Sequence, residues 1–277
     1  MRIKLLVSIT LGFLLVSCKN DNQSAKEQIP TDSITSTTPK FANKGHELVY
    51  NMVQKVGNFN ALLDKKNVVY TYTYQTPDNK TDSVTEKYIF EGELSYGAYK
   101  KHERTLANLD GLVEQGYDGN EYWLKHKGKI IKDQDLLKTV IFNRPTNFYW
   151  FTMMQKLLDN GLFYEYLDEK TIDGIKYDVV KVTFESKDDK PKDTYQLYIN
   201  KETHLVDQFL FTVVDFGKME PFLMKLEYEN IEGLLLPTKR KYKKSNWDAK
   251  VTNEPWTLVN WSDIKFNTDL TKADFKK

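Results

Sequence analysis

A single cysteine in 277 residues leaves no intrachain disulfide, so a hydrophobic core must hold this chain together. The length is ample for such a core. The apolar run at Leu5–Val16 is 12 residues, short of the ~17–25 that a membrane-spanning helix needs. The formal net charge is only +1, with no basic excess to serve as an electrostatic footprint for nucleic acid. Four histidines (His46, His102, His126 and His204) fall in separate stretches with no i, i+4 pairing. No His-Glu-x-x-His, Cys-x-x-Cys, Gly-x-Ser-x-Gly or phosphate-loop pattern occurs. "KHKGK" (125–129) reads as a hairpin tip, and "FESKDDKPKD" (184–193) as a solvated loop without calcium-loop spacing. These absences predict no enzyme, no metal and no cofactor.

What is present begins at the first residues. Arg2 and Lys4 precede the apolar Leu5–Val16, small residues follow, and the chain then turns polar at once, as in a secretory leader spanning 1–17. The closing "LVSC" (Leu15, Val16, Ser17, Cys18) resembles the lipobox of bacterial lipoproteins. That resemblance implies cleavage before Cys18 and acylation of its thiol and new amino terminus. Two or three acyl chains, at ~0.8 kcal/mol per buried CH₂, hold a protein stably on a bilayer where one does not. In the enterobacterial lipoprotein family an Asp after the cysteine signals retention at the inner membrane. Lys19 in that position implies the outer membrane, on either face. Loss of the leader removes two cations and no acid, so the mature net charge is near −1.

Residues 18–40 read as a lipidated, flexible linker. Ser, Thr, Asn, Gln and Pro dominate it, and only Ile29 and Ile34 are large and aliphatic. Its 22 residues after Cys18 give an r.m.s. span of roughly 25 Å. A folded domain over 41–277 follows. Leu48, Val49, Met52, Val53 and Val56 make one helical stripe, with Asn43 as cap and Gly57 as stop. Strands then take over: Val68, Tyr70, Tyr72 and Tyr74 share one face, and Val84, Tyr88 and Phe90 share one on the return across the "PDNK" turn. Strands about 94–103, 111–117 and 121–127 come next, the last pair joined by "YDGN". From 133 to 160 the apolar spacing turns helical, predicting two short helices that meet at "NRP", because a residue before proline resists the helical region. About seven more strands complete the chain, linked by short polar connections. The order is a meander, so the sheet is expected to be antiparallel.

A leading helix, a long antiparallel meander and a central helical insertion resemble the LolA/LppX type of lipoprotein-carrier fold. Local phrases share the likeness: "EQGYDGNEYWL" (114–124), "YQLYINKETHLVDQF" (195–209), "EGLLLPTKRKY" (232–242) and the ending "IKFNTDLTKADF" (264–275) with its docking Phe. The resemblance implies a mainly β, α+β fold: one strongly curved, half-open antiparallel barrel of about 11–12 strands under a helical lid. It implies no catalytic residue.

On such a concave face the candidates for a ligand-binding surface are Tyr72, Phe90, Phe209, Phe211 and Tyr228 from the strands. Phe148, Phe151 and Met154 would reach in from the lid. Tyr70, Tyr88, Trp123, Leu226 and Trp261 belong to the wider set. Aromatics and a flexible Met suit an adaptable apolar cavity, but the same alternation also describes a packed core closed by its own helices. The opposite faces carry Thr, Lys and Glu, and "TKRKYKK" (238–244) reads as the outer face of a strand. Two functions follow. One is a monomeric envelope lipoprotein that binds or carries a lipid or another apolar ligand. The other is a structural module of the outer membrane with a filled core and a protein partner.

Overall fold

The computed structural model describes residues 39–186 and 191–277. The leader, Cys18 and all of the linker but its last two residues lie outside the described residues. Helix α1 (Lys44–Val56) starts at Asn43, whose side chain accepts the His46 amide, and stops at Gly57, whose φ of 87° suits a residue without Cβ. Its stripe of Val49, Met52, Val53 and Val56 is buried. A short helix α2 (Phe59–Leu63), capped by Asn58, follows where the apolar spacing is too brief to announce one.

Six strands come before the central helix: β1 (Asn67–Gln75), β2 (Thr81–Ile89), β3 (Leu94–His102), β4 (Val113–Tyr117), β5 (Tyr122–His126) and β6 (Lys129–Ile131). Strands β1 and β2 pair from Asn67↔Ile89 to Gln75↔Thr81 around a turn in which Asn79 takes φ 63°. At the β4–β5 turn the Asp118 carboxylate accepts the amides of Asn120 and Glu121. Strand β6, three residues long, is too short to show a period in sequence.

Where two helices are expected, one runs unbroken: α3 (Gln134–Lys156, 23 residues), capped by Asp133. Pro145 sits inside it. A proline removes one donor, and the carbonyl it would have met belongs to Ile141, a half-exposed residue. Arg144, the residue that proline pushes away from the helical region, is instead held by buried bonds described below. Tertiary contact overrides the local preference.

Seven strands follow: β7 (Leu162–Ile172), β8 (Ile175–Phe184), β9 (Thr194–Asn200), β10 (Val206–Val213), β11 (Lys218–Ile231), β12 (Leu234–Lys244) and β13 (Thr257–Phe266). All thirteen form one sheet in the order β6-β5-β4-β3-β2-β1-β13-β12-β11-β10-β9-β8-β7, and every pairing is antiparallel. The first and last strands pair at its centre, as in Tyr72↔Trp261, while β6 and β7 are its two free edges. Those edges flank α3 in sequence. The helix, about 34 Å long at 1.5 Å per residue, therefore crosses the concave face from one edge to the other, and the sheet curves around it without closing.

Burial follows this geometry. One cluster joins α1 and the end of α3 to strands β8–β11 through Val53, Met154, Val180, Leu197 and Phe209. A second gathers Tyr70, Tyr88, Phe90, Phe148, Phe151, Trp261 and Phe266. A third seats Val140 on Val84, Tyr99, Val113 and Leu124. The outer face is not solvated throughout: Tyr177, Val179, Tyr198, Leu210 and Leu223 form an apolar patch there, packed by Ala249 and Trp256 of the connection between β12 and β13. The 3-10 turn at Lys272–Phe275 docks a fully buried Phe275 under the rest of the chain.

Candidate functional site

Two faces of α3 meet the sheet differently. On one, Phe148, Phe151 and Met154 are buried, as are Met153 and, just past the helix end, Leu157. Phe151 lies 4.8 Å from the Tyr70 ring and 5.0 Å from the indole of Trp261, centroid to centroid, and this part of the interior is filled. On another face, Phe142, Asn143, Thr146, Asn147 and Trp150 recur at helical spacing and roof a cavity of ≈ 180 Å³. Its floor comes from five adjacent strands: β1 supplies Tyr70, Tyr72 and Tyr74, β13 supplies Val259 and Trp261, β12 supplies Arg240 and Tyr242, and β11 and β10 supply Met224 and Phe211. A larger chamber of ≈ 420 Å³ adjoins it past Phe142, Thr146, Trp150 and Val213, and is walled by Pro145, Tyr149 and Tyr195.

A buried polar network holds the roof. Glu86, on β2 between the apolar Val84 and Tyr88, is fully buried and receives both terminal nitrogens of Arg144, at 2.8 and 3.0 Å. Asn147 Nδ2 donates to the same carboxylate at 3.1 Å, as does the Tyr88 hydroxyl. The Tyr70 and Tyr88 hydroxyls are bonded to each other, and Arg144 also donates to the Tyr99 hydroxyl. Burial works against the charge on Arg144, but Glu86 and the surrounding tyrosines outweigh it and hold the guanidinium above its ordinary pKa. The guanidinium fits because Gly97 faces it: a Cβ there would lie 2.7 Å from Nη1.

Two further arginines reach the cavity itself. Arg104 pairs with the fully buried Asp82 at 3.2 Å and lies over the Tyr74 ring. Asp82 also accepts the Arg104 amide and the Thr105 hydroxyl. Arg240 is 5% exposed, and its guanidinium stacks on Trp261 at 3.9 Å. Burial pulls its pKa down to about 10. The hydroxyls of Tyr74 and Tyr242 are hydrogen-bonded to each other across the floor. Burial raises Tyr70 and Tyr72 well above the ordinary phenol range.

The residues expected to touch a ligand separate into three places. Tyr72 and Phe211 line the cavity. Phe209 stands behind it against Trp150, and Phe90, Phe148, Phe151 and Met154 lie in the packed interior. Tyr228 packs at the edge of the same cluster as Met154, its hydroxyl donating to Val206 O. Of the wider set, Tyr70 and Trp261 line the cavity, and Tyr88 and Leu226 are core. Trp123 occupies the other face, covering Gly116 and donating Nε1–H to Phe275 O at 2.7 Å. Sequence reading missed Glu86, Arg144 and Arg240. The signal was available in the alternation. Glu86 falls on an apolar face, and within "TKRKYKK" Arg240 and Tyr242 alternate inward while Lys239, Lys241 and Lys243 alternate outward.

Among solved structures, a LolA superfamily protein from Nitrosomonas europaea superposes with a TM-score of 0.50 over 85% of this chain and 99% of that one, at 14% identity. The fold is LolA-like. A DUF1329 family protein from Desulfovibrio piger follows at TM-score 0.49 and 15% identity, over 84% of this chain and 95% of that one. A putative outer membrane lipoprotein-sorting protein domain from Vibrio parahaemolyticus gives 0.49 and 13%, over 84% and 96%. No protein-family model and no curated protein matches the sequence. At these identities the likeness is one of fold. Among the described residues, no helix is long and apolar enough to cross a membrane.

Proposed function

We propose that this chain is an outer-membrane lipoprotein, anchored through acyl chains on Cys18, that binds a lipid or another apolar ligand under α3 without transforming it. The cavity between the middle of α3 and the centre of the sheet carries this reading. It is roofed by a helix, floored by aromatic side chains, and extended by the adjoining chamber. Apolar surface placed there leaves water at ~25 cal/mol per Å². The lining of the smaller cavity contains no carboxylate, histidine or cysteine. Cleavage after residue 17 and a tether over 18–40 complete the arrangement, with the domain free to reorient above the bilayer.

Native mass spectrometry of the protein after mild extraction tests the ligand. A bound apolar mass is expected, and a protein that is empty in every preparation overturns the reading. The packed face of α3 around Phe148 and Phe151 favours the second function, a structural module with a protein partner. An empty protein that retains a stoichiometric partner on affinity purification would decide for it.

A further inference from the structure

The cavity carries a charge that nothing in it balances. Arg104 has Asp82, and Arg144 behind the wall has Glu86. Arg240 is buried, forms no ion pair among the described residues, and leaves its Nε without an acceptor. Trp261, on which it stacks, also leaves a buried Nε1–H without an acceptor. Both side chains line the same cavity. The stacking explains why a cation is tolerated beside aromatic rings, but a ring face accepts neither of these hydrogens in-plane. A buried cation with unused donors destabilises a protein unless an acceptor arrives from outside.

We infer that this cavity is a receptor for the anionic headgroup of a single-chain amphiphile, a carboxylate or phosphate held by the Arg240 guanidinium with its alkyl chain in the adjoining chamber. The inference rests on the ligand-binding function proposed above and adds the headgroup charge and the number of chains. The planar fork of a guanidinium matches carboxylate and phosphate oxygens bidentately. Size sets the chain number. The cavity of ≈ 180 Å³ is small against the ~300–1,000 Å³ of ordinary ligand sites, and the chamber of ≈ 420 Å³ lies low in that range. One chain fits that space, whereas a bundle of acyl chains does not. Polarity sets the direction: Asp193 and Asp215 stand on the lining of the chamber, beside Lys192, and repel an anion there. The headgroup therefore goes inward to Arg240, and the chain points out past Trp150.

The test is a competition read by native mass spectrometry. The whole protein, extracted in a neutral detergent, is offered equal concentrations of laurate, lauryl phosphate, dodecanol and dodecyltrimethylammonium. A charge-assisted hydrogen bond predicts occupancy by an anionic probe roughly tenfold or more above dodecanol. The ratio of laurate to lauryl phosphate tells a carboxylate headgroup from a phosphate one. Arg240→Met should erase the preference for anions while dodecanol still binds, and Arg240→Lys should keep part of it. Should Arg240→Met fail to fold, the competition on the unaltered protein decides by itself. Dodecanol or the ammonium probe binding as well as the anions overturns the inference and leaves the ligand-binding function standing. Binding of none of the four also overturns the inference, and the ligand-binding function is then decided by the bound mass sought after mild extraction.

Discussion

Glu86 and Arg144 lie 58 residues apart and meet with no exposure to water. Removing one member strands the other as a buried charge, which costs ~3–5 kcal/mol. Arg144→Met alone should lower unfolding stability by about that amount in urea titration, whereas the double variant Glu86→Leu/Arg144→Met should recover most of it. Gly97→Ala disturbs the same pair from the sheet side, since its Cβ meets a guanidinium that Glu86 does not let swing away. Arg240 has the opposite sign of effect. It is a buried cation with no counter-charge, so in ligand-free protein Arg240→Met should raise the melting temperature, by about 2–4 °C for each kcal/mol released in a chain of this size. A residue whose removal stabilises the empty protein and weakens its ligand is the mark of a functional site.

At the scale of elements, α3 is held across the concave face by its buried contacts. Its proline is unfavourable by ~3 kcal/mol against alanine in a helix interior, offset by ~0.4–1 kcal/mol from the stiffer unfolded chain. Pro145→Ala should therefore stabilise the protein by roughly 2 kcal/mol in denaturant titration. The C-terminal turn is tied down differently, by the bond from Trp123 to Phe275 O and by the burial of the Phe275 ring. Trp123→Phe keeps an aromatic ring over Gly116 and loses the bond. Its expected cost is ~1 kcal/mol, with faster amide exchange confined to residues 268–277.

The whole molecule depends on one long-range closure. Strands β1 and β13 bring the two ends of the folded region together at the middle of the sheet, so each half is completed by the other. The helix that joins the two free edges then lies across the hollow between them. The acyl anchor proposed at Cys18 is tested directly by Cys18→Ser. The variant should leave the membrane pellet on cell fractionation, and continued sedimentation with the outer membrane would count against the acyl anchor.

Much of this was legible in order of residues. Period-2 alternation marks most of the strands from Asn67 to Phe266, and the Asn43 cap and Gly57 stop bound α1, because both signals act within a few residues. The same alternation places Glu86 and Arg240 on inward positions. It does not say that their partners, or the lack of one, lie on a helix and strands far along the chain. Local signals predicted a break at Pro145 that tertiary bonds to Arg144 removed. By itself the sequence determined strand and helix type, facing and charge, which are properties of neighbours along a chain. The pairing of β1 with β13, the filled and hollow sides beneath α3, and the solitary charge of Arg240 were decided by tertiary structure, because each depends on which distant surfaces come within contact distance.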